Sequence, residues 1–321
     1  LTAEVQDAIT GLESIYQMQG RPSEFIEYLD KAGLSSVRTA GEKEMMVFAA
    51  AEQTFFAGNY PSAVNALQSF LDQYPTGAKT SKAYYYLAES LKATGRREAA
   101  CDAYFQAMKG ADDETAESAT RNYADICYSL GHYRRAVEAY ETLSGIAGSQ
   151  EVKDKAVAGK LLALYNSRQY TLALTQAKSV IDDREGASGL LRTAKYVAAK
   201  TNVVLDERDN ALPYLKELAA DPSDEYGAES AYLLIQNFYE SGDFSSVERN
   251  VYSFSDSGSG QLYWLAKSFI ILGDSFADRE EFRQAKATYE SIRDGYKPQR
   301  SNDDVQDQIK LRLEKINSME K

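Results

Sequence analysis

Residues 265–298 read LAKSFIILGDSFADREEFRQAKATYESIRDGYKP, which predicts two amphipathic helices joined by a short turn at 278–281. In each helix the apolar residues recur at spacings of three and four, so they share one helical face. The two faces carry Phe269, Leu272 and Phe276, then Phe282, Ala285, Tyr289 and Ile292. Gly273 and Ala285 are small where the helices would approach closely. Because the two helices together still leave one apolar flank exposed, the hairpin must pack against a neighbouring unit.

The rest of the chain repeats this hairpin. Each copy has an alanine, or another residue at the same position, shortly after its turn. We use this residue as the anchor that aligns the copies with one another. The eight anchors are Phe25, Ala63, Ala100, Ala136, Ala173, Ala211, Val247 and Ala285. Successive anchors are 36 to 38 residues apart. A period that steady is typical of a solenoid, in which each unit contacts only its neighbours.

Two copies carry a recognisable motif most fully. Their matching residues are Leu87-Ala88, Gly95, Ala100, Tyr104 and Ala107, then Tyr123-Ala124, Gly131, Tyr133, Ala136 and Tyr140. These units resemble tetratricopeptide repeats over almost the whole chain. The pattern departs from that family in three ways. The first-helix tryptophan is absent, the fifth and sixth copies lack the turn glycine, and the period exceeds the usual value of about 34 residues.

The resemblance implies an all-α fold, a right-handed α-solenoid of about eight helical hairpins forming a single superhelical domain over residues 1–321. We predict repeats near 3–31, 42–73, 79–109, 113–145, 150–182, 188–220, 225–254 and 261–294. A lone helix follows at 303–319 with one apolar face, formed by Val305, Ile309, Leu313 and Ile316. We expect this helix to cap the exposed core of the last repeat.

Composition and charge exclude several classes of protein. The net charge is −12, whereas a nucleic-acid-binding surface would need a basic stripe. No apolar run approaches the length of about 20 residues that a membrane-spanning helix needs. The chain opens at Leu1 already inside a helical pattern, which favours a mature or excised piece of a possible larger parent chain.

The sequence contains few candidates for catalytic or metal-binding residues. His132 is the only histidine, and it occupies a turn position that Asn59 and Asp243 fill in other copies. We therefore predict a turn residue there. Cys101 and Cys127 form neither a CxxC motif nor a metal-ligand spacing, so we expect inert packing thiols. The sequence predicts no catalytic residue, no metal site, no cofactor and no enzyme activity.

Binding has better support than catalysis. In tetratricopeptide proteins the first helix of each hairpin lines a concave groove, and the resemblance places aromatic and cationic residues there. The predicted partner-binding residues are Phe48, Phe55, Tyr85, Lys92, Arg121, Tyr128, Tyr165, Tyr196, Lys200, Tyr232 and Tyr239. Tyrosine offers a large contact area with a polar tip, which suits an extended or helical peptide segment. The alternative is packing between helices, as we expect for Tyr104, Tyr140 and Tyr289.

These observations favour a non-catalytic protein–protein interaction scaffold that binds a protein or peptide partner. Two alternatives are a docking or sensing segment of a larger enzyme or signalling protein, and self-assembly through end-to-end stacking. Residues 55–75 and 83–88 resemble bacterial cell-envelope repeat proteins of the Tol-associated and outer-membrane-assembly kind. That resemblance implies a bacterial, periplasmic protein, with the cytoplasm as the alternative location.

Overall fold

The computed structural model describes residues 2–110, 113–183 and 187–319. Within these ranges the chain forms seventeen α-helices, a 3₁₀ turn at Ser35–Val37 and no strand. In chain order the helices are α1 (Ala3–Met18), α2 (Pro22–Lys31), α3 (Ala40–Phe56), α4 (Tyr60–Gln73), α5 (Thr80–Ala93), α6 (Arg97–Lys109), α7 (Asp113–Ser129), α8 (Tyr133–Ile146), α9 (Gln150–Asn166), α10 (Tyr170–Asp183), α11 (Ser188–Val204), α12 (Arg208–Ala219), α13 (Glu225–Glu240), α14 (Phe244–Asp256), α15 (Leu262–Asp278), α16 (Phe282–Gly295) and α17 (Val305–Met319). The predicted all-α fold is therefore confirmed. None of the described helices is both long and apolar enough to cross a bilayer.

The chain divides into two compact units, Leu1–Ala163 and Leu164–Lys321. In the first unit, consecutive helices from α1 to α8 pack against one another in sequence order. In the second unit, consecutive helices from α10 to α17 do the same. First helices also contact the next first helix, as α5 does with α7 and α13 with α15. Within each unit, successive hairpins thus bury their apolar flanks on one another, as a helical-repeat array requires. A single superhelical domain over both units stays a prediction.

The anchor residues define the repeat register. Each lies at the fourth position of a second helix, and all eight are fully buried. Six of the eight are alanines, and such small buried residues let two helices approach closely. Gly273 on α15 serves the same purpose, because a Cβ at this position would overlap the ring of Tyr289. The expected close approach of α15 and α16 at Gly273 and Ala285 is confirmed.

Three second-helix tyrosines share one hydrogen-bonding pattern. Tyr104, Tyr140 and Tyr289 are buried, and each hydroxyl donates to a carboxylate on the first helix of its own hairpin. The acceptors are Glu89, Asp125 and Asp274, each 15 residues earlier in the chain. A buried phenol needs such a partner, since an unpaired hydroxyl in the core is unfavourable. The prediction that these tyrosines are packing residues is confirmed.

Every hairpin turn places one residue in the left-handed backbone region. Glycine occupies this position at Gly20, Gly58, Gly95, Gly131 and Gly242. The remaining three turns use Arg168, Asp206 and Glu280, with φ of 62°, 58° and 61°. A left-handed non-glycine residue costs roughly 1–2 kcal/mol, so packing of the flanking helices must offset this strain. The repeat therefore keeps its turn geometry even where the glycine of the motif is missing.

The turn also defines a buried slot on the first helix. The residue in this slot accepts a backbone hydrogen bond of 2.8–3.0 Å from the N-cap residue of the second helix, as Leu91, Leu164 and Asn202 do. Leu91 and Leu164 fill the slot with apolar side chains. Asn202 is equally buried, and neither of its side-chain amide atoms has a hydrogen-bond partner in the protein. The sixth hairpin thus holds a polar group where the third and fifth hairpins hold leucine.

We expect the Asn202→Leu substitution to raise the free energy of unfolding of the second unit by about 1–3 kcal/mol. The reason is that the buried amide loses its hydration without compensation, whereas leucine fits the same slot elsewhere in the chain. Urea unfolding followed by circular dichroism measures the change. Asn202→Ala is the matched control, with a smaller gain expected because it removes the amide but leaves a cavity. A loss of stability for Asn202→Leu would contradict the prediction.

The last helix, α17, packs on α15 and α16. Its apolar face joins the core of the second unit through Val305, Ile309, Leu313 and Ile316. The guanidinium of Arg312 donates two hydrogen bonds of 2.7 Å to Asp274 of α15. The predicted capping helix is confirmed, and it is fixed by both apolar burial and a paired charge.

Candidate functional site

The predicted binding residues fall into two slots of the repeat, apart from Lys200, which lies eleven residues before Ala211. Fifteen residues before an anchor lie Phe48, Tyr85, Arg121, Tyr196 and Tyr232. Eight residues before an anchor lie Phe55, Lys92, Tyr128, Tyr165 and Tyr239. All eleven lie on first helices, between α3 and α13. We call the partly exposed residues on the first helices of each unit the first-helix surface of that unit.

Two of the predicted residues are buried, which corrects their assignment as partner contacts. Phe48 is 2% exposed, and its ring lies 5.4 Å from that of Phe70 and 6.2 Å from that of Tyr86. Tyr196 stacks on Tyr226 with 4.2 Å between ring centres, and its hydroxyl donates to Glu229. Rings from neighbouring helices cover both side chains, so no partner can reach their faces.

The other predicted residues of the first unit are partly exposed but contact neighbouring side chains. The ring of Phe55 stacks on Tyr86 at 4.5 Å, and Tyr128 contacts Tyr133 at 5.4 Å. Tyr85 is half-buried, and its hydroxyl accepts a hydrogen bond of 3.4 Å from Asn122. The cations are paired within their own helices, Lys92 with Glu89 and Arg121 with Glu117. The Phe55–Tyr86 and Tyr85–Asn122 contacts join successive hairpins, and all of these contacts leave only partial surfaces for a partner.

In the second unit a cation lies between two aromatic rings. Lys200 Nζ is 5.0 Å from the ring centre of Tyr165 and 5.1 Å from that of Tyr196. It also pairs with the Glu229 carboxylate of α13 at 2.8 Å. Burial, together with the nearby Glu229, raises the pKa of Tyr165 to about 12. The phenol therefore stays protonated, and can donate a hydrogen bond, throughout the physiological pH range.

A second cation–aromatic group follows on α13 and α15. Lys267 Nζ lies 5.6 Å from the ring centre of Tyr232 and 5.7 Å from that of Tyr263. The guanidinium of Arg300 lies 3.9 Å from the centre of the Tyr263 ring and 5.6 Å from that of Trp264. Cations over aromatic faces are attracted to the ring quadrupole, by about 0.5–2 kcal/mol depending on solvation. The group therefore orders aromatic side chains that remain partly exposed.

Carboxylates complete this second group. Asp304 pairs with Lys267 at 3.4 Å and accepts a hydrogen bond of 3.1 Å from the Tyr263 hydroxyl. Glu225 accepts from the indole N–H of Trp264 at 2.9 Å. Burial, with the charge of Asp304 nearby, raises the pKa of Tyr263 to about 12. The two groups meet on α13, which carries both Glu229 and Tyr232.

We call the partly exposed members of these groups the aromatic–cation series, defined by Tyr165, Lys200, Tyr232, Tyr263, Trp264, Lys267 and Arg300. Sequence reasoning found its first three members and missed the others. The repeat period could have indicated two of them, because Trp264 and Lys267 occupy the positions that Tyr226 and Glu229 occupy one period, 38 residues, earlier. Arg300 follows the last hairpin, where no repeat slot is defined. Tyr239 lies apart, with its hydroxyl donating to Asp278 at 2.6 Å.

The opposite face of α15 borders a separate apolar cavity of about 600 Å³. Its walls come from α14, α15, α16 and the segment after α16, and include Tyr252, Leu262, Phe269 and Ile292. Tyr252 and Leu262 are exposed at its edge. This volume is typical of cavities that accept a small ligand or a large side chain. Elsewhere, in the first unit, the fold brings together the side chains of Cys101, Cys127 and His132, whose residue types can ligate a metal.

No protein-family model matches this sequence, and no curated protein matches it. Among solved structures, the chain is similar to a tetratricopeptide repeat protein from Parabacteroides merdae, with 15% identity and a TM-score of 0.52 over 84% of this chain and 98% of the other. It is also similar to the apo form of RapI, with 11% identity and a TM-score of 0.55 over 97% of each chain. Because both identities are low, these similarities show the fold alone. The chain has a tetratricopeptide-like helical-repeat fold.

Proposed function

We propose that this protein is a non-catalytic scaffold that binds a protein partner through the first-helix surface of its second unit. The observation that carries the proposal is the aromatic–cation series, in which three cations order partly exposed rings on α9, α13 and α15. Ordered Tyr and Trp side chains give large contact areas at low entropic cost, which is typical of protein-binding surfaces.

The charges in the series favour a particular kind of partner. Lys200, Lys267 and Arg300 already pair with Glu229, Asp304 and Glu225. Because these cations are neutralised, the surface offers no excess positive charge to a phosphate backbone. The rings and phenol groups remain available for apolar contact and hydrogen bonding. We infer that the partner presents an extended or helical peptide segment with apolar side chains.

Substituting the two central rings should strongly reduce capture of the partner. Trp264→Ala with Tyr232→Ala is expected to weaken binding by about 2 kcal/mol or more, roughly thirtyfold in affinity. Affinity capture from extracts of the native organism, quantified by mass spectrometry against the unmodified chain, identifies the partner, and titration of the purified partner gives the affinity. Leu172→Ala on α10 is the control, because Leu172 is exposed and lies outside the series. Equal capture by the double variant would contradict the proposed surface.

The apolar cavity beside α15 is a second candidate for the partner-binding surface, and its volume and exposed rim favour this role. Ser291→Trp, at an exposed position in its wall, would fill the cavity without touching the aromatic–cation series. Loss of capture with this variant alone would assign the partner to the cavity.

A docking segment of a larger enzyme or signalling protein would use the same surfaces. That larger parent chain and a periplasmic location stay predictions from the sequence.

A further inference from the structure

Three side chains that the sequence separates meet at one junction of helices in the first unit. Cys101 lies on α6, Cys127 on α7 and His132 immediately before α8. The two sulfur atoms are 3.3 Å apart, and a ring nitrogen of His132 lies within 4.8 Å of both. The turn fixes this geometry, since the backbone N–H of His132 donates to the Cys127 carbonyl at 2.8 Å and Gly131 adopts a φ of 80°.

The junction departs from the repeat pattern at two of its three positions. Cys127 occupies the turn slot that Leu91 and Leu164 fill with larger apolar side chains. His132 occupies the N-cap position, where Asn59 and Asp243 accept a backbone hydrogen bond from their helices. The His132 side chain makes no such bond. Helix capping therefore does not explain His132. The two cysteines belong to the core of the first unit, but a core position does not require two thiols beside a histidine.

The imidazole of His132 carries a further unexplained feature. Its Nδ1 atom is buried and has no hydrogen-bond partner. Its other ring nitrogen, Nε2, lies 3.8 Å from the Glu98 carboxylate. That arrangement suits the tautomer in which Nε2 carries the proton and Nδ1 offers its lone pair. Histidines that ligate metals commonly have a carboxylate near the second ring nitrogen, where it orients the ring.

We propose that Cys101, Cys127 and His132 bind a thiophilic cation of the zinc class. Two thiolates and one imidazole nitrogen are ligands that such cations prefer, and both thiols would release their protons on binding. Metal–sulfur bonds of about 2.3 Å in a tetrahedral site place the two sulfur atoms about 3.8 Å apart, so the junction must open by about half an ångström. The 34% exposure of the His132 side chain provides a path for entry, and water can fill the fourth position.

A disulfide between the two cysteines is the competing explanation. Their sulfur atoms are near enough to react, although a disulfide requires a separation of about 2.05 Å. A disulfide would leave Nδ1 of His132 buried and unpaired, whereas a cation satisfies all three atoms. The cation would also connect α6, α7 and α8, and so join the third hairpin of the first unit to the fourth.

The test uses the full chain, reduced with a phosphine, stripped with a chelator and titrated with Co²⁺ as a spectroscopic probe. We expect one equivalent of Co²⁺ to produce a sulfur-to-cobalt charge-transfer band and the visible bands of tetrahedral cobalt. One equivalent of Zn²⁺ should then displace the cobalt and raise the thermal unfolding midpoint, because the cation binds only the folded state. Absence of the charge-transfer band in the reduced chain would overturn the proposal.

Two variants separate ligation from folding. His132→Asn places at this position the residue that caps α4, so we expect it to fold normally and to lose at least about tenfold in Zn²⁺ affinity. Cys127→Ser should weaken the charge-transfer band, and Glu98→Gln should retain cobalt binding. Zn²⁺ affinity unchanged in His132→Asn would overturn the three-ligand site. So would a Cys101–Cys127 disulfide that persists under reducing conditions and blocks metal uptake.

Discussion

Replacing Ile309 with aspartate is expected to lower the free energy of unfolding of the second unit by about 4 kcal/mol or more. Ile309 is 1% exposed, and it lies on the face of α17 that joins the core over α15 and α16. An aspartate there would lose these apolar contacts, and its carboxylate would be desolvated in an apolar core. Denaturant unfolding at neutral pH, followed by circular dichroism, measures the loss.

A control for this experiment lies two residues away on the same helix. Leu311 is 66% exposed, so Leu311→Asp introduces the same charge into water. We expect the control to change the free energy of unfolding by less than about 0.5 kcal/mol. Equal losses for the two variants would mean that α17 does not cover the last hairpin, and the capping role would be wrong.

The second large effect concerns the contact between α15 and α16. Gly273→Leu is expected to destabilise the second unit by about 3 kcal/mol, because the new side chain overlaps the ring of Tyr289. Displacing this ring would also break its hydrogen bond of 2.5 Å to Asp274. Asp274 is the carboxylate that Arg312 of α17 binds, so the substitution loosens three helices together. Chemical denaturation gives the change.

Two further substitutions calibrate that result. Gly273→Ala should have a smaller effect, since Ala88 and Ala124 occupy the equivalent positions opposite Tyr104 and Tyr140. Gly295→Leu near the end of α16 should be almost neutral, because nothing lies within 4 Å of a Cβ added there. If Gly273→Leu were as stable as the unmodified chain, the Tyr289 ring would be free to move, and the close approach would not constrain this hairpin.

The repeat could be predicted from the sequence because its signals are local. Anchor spacing, helical periodicity and the apolar face of α17 depend only on residues within one hairpin or one helix. The eight anchors are all buried for this reason, and the missing turn glycine at Arg168 or Asp206 changes no turn. Helix packing supplies the free energy that the left-handed residues cost.

The candidate site could be predicted only in part. Phe48 and Tyr85 occupy the same slot on successive first helices, yet Phe48 is buried and Tyr85 is not. The difference arises because Phe70 and Tyr86 cover Phe48 from neighbouring helices. Repeat position alone therefore identifies the first-helix surface but does not distinguish its accessible rings from its buried ones.

The sequence by itself determined the all-α hairpin array, its register and the capping helix, because each follows from periodicity along a short segment. Only the tertiary structure decided which cation orders which ring, as Arg300 does over Tyr263, and which thiols meet a histidine. Those pairings join residues on different helices, and their distances depend on how the helices pack. A one-dimensional pattern of residue types carries no measure of that geometry.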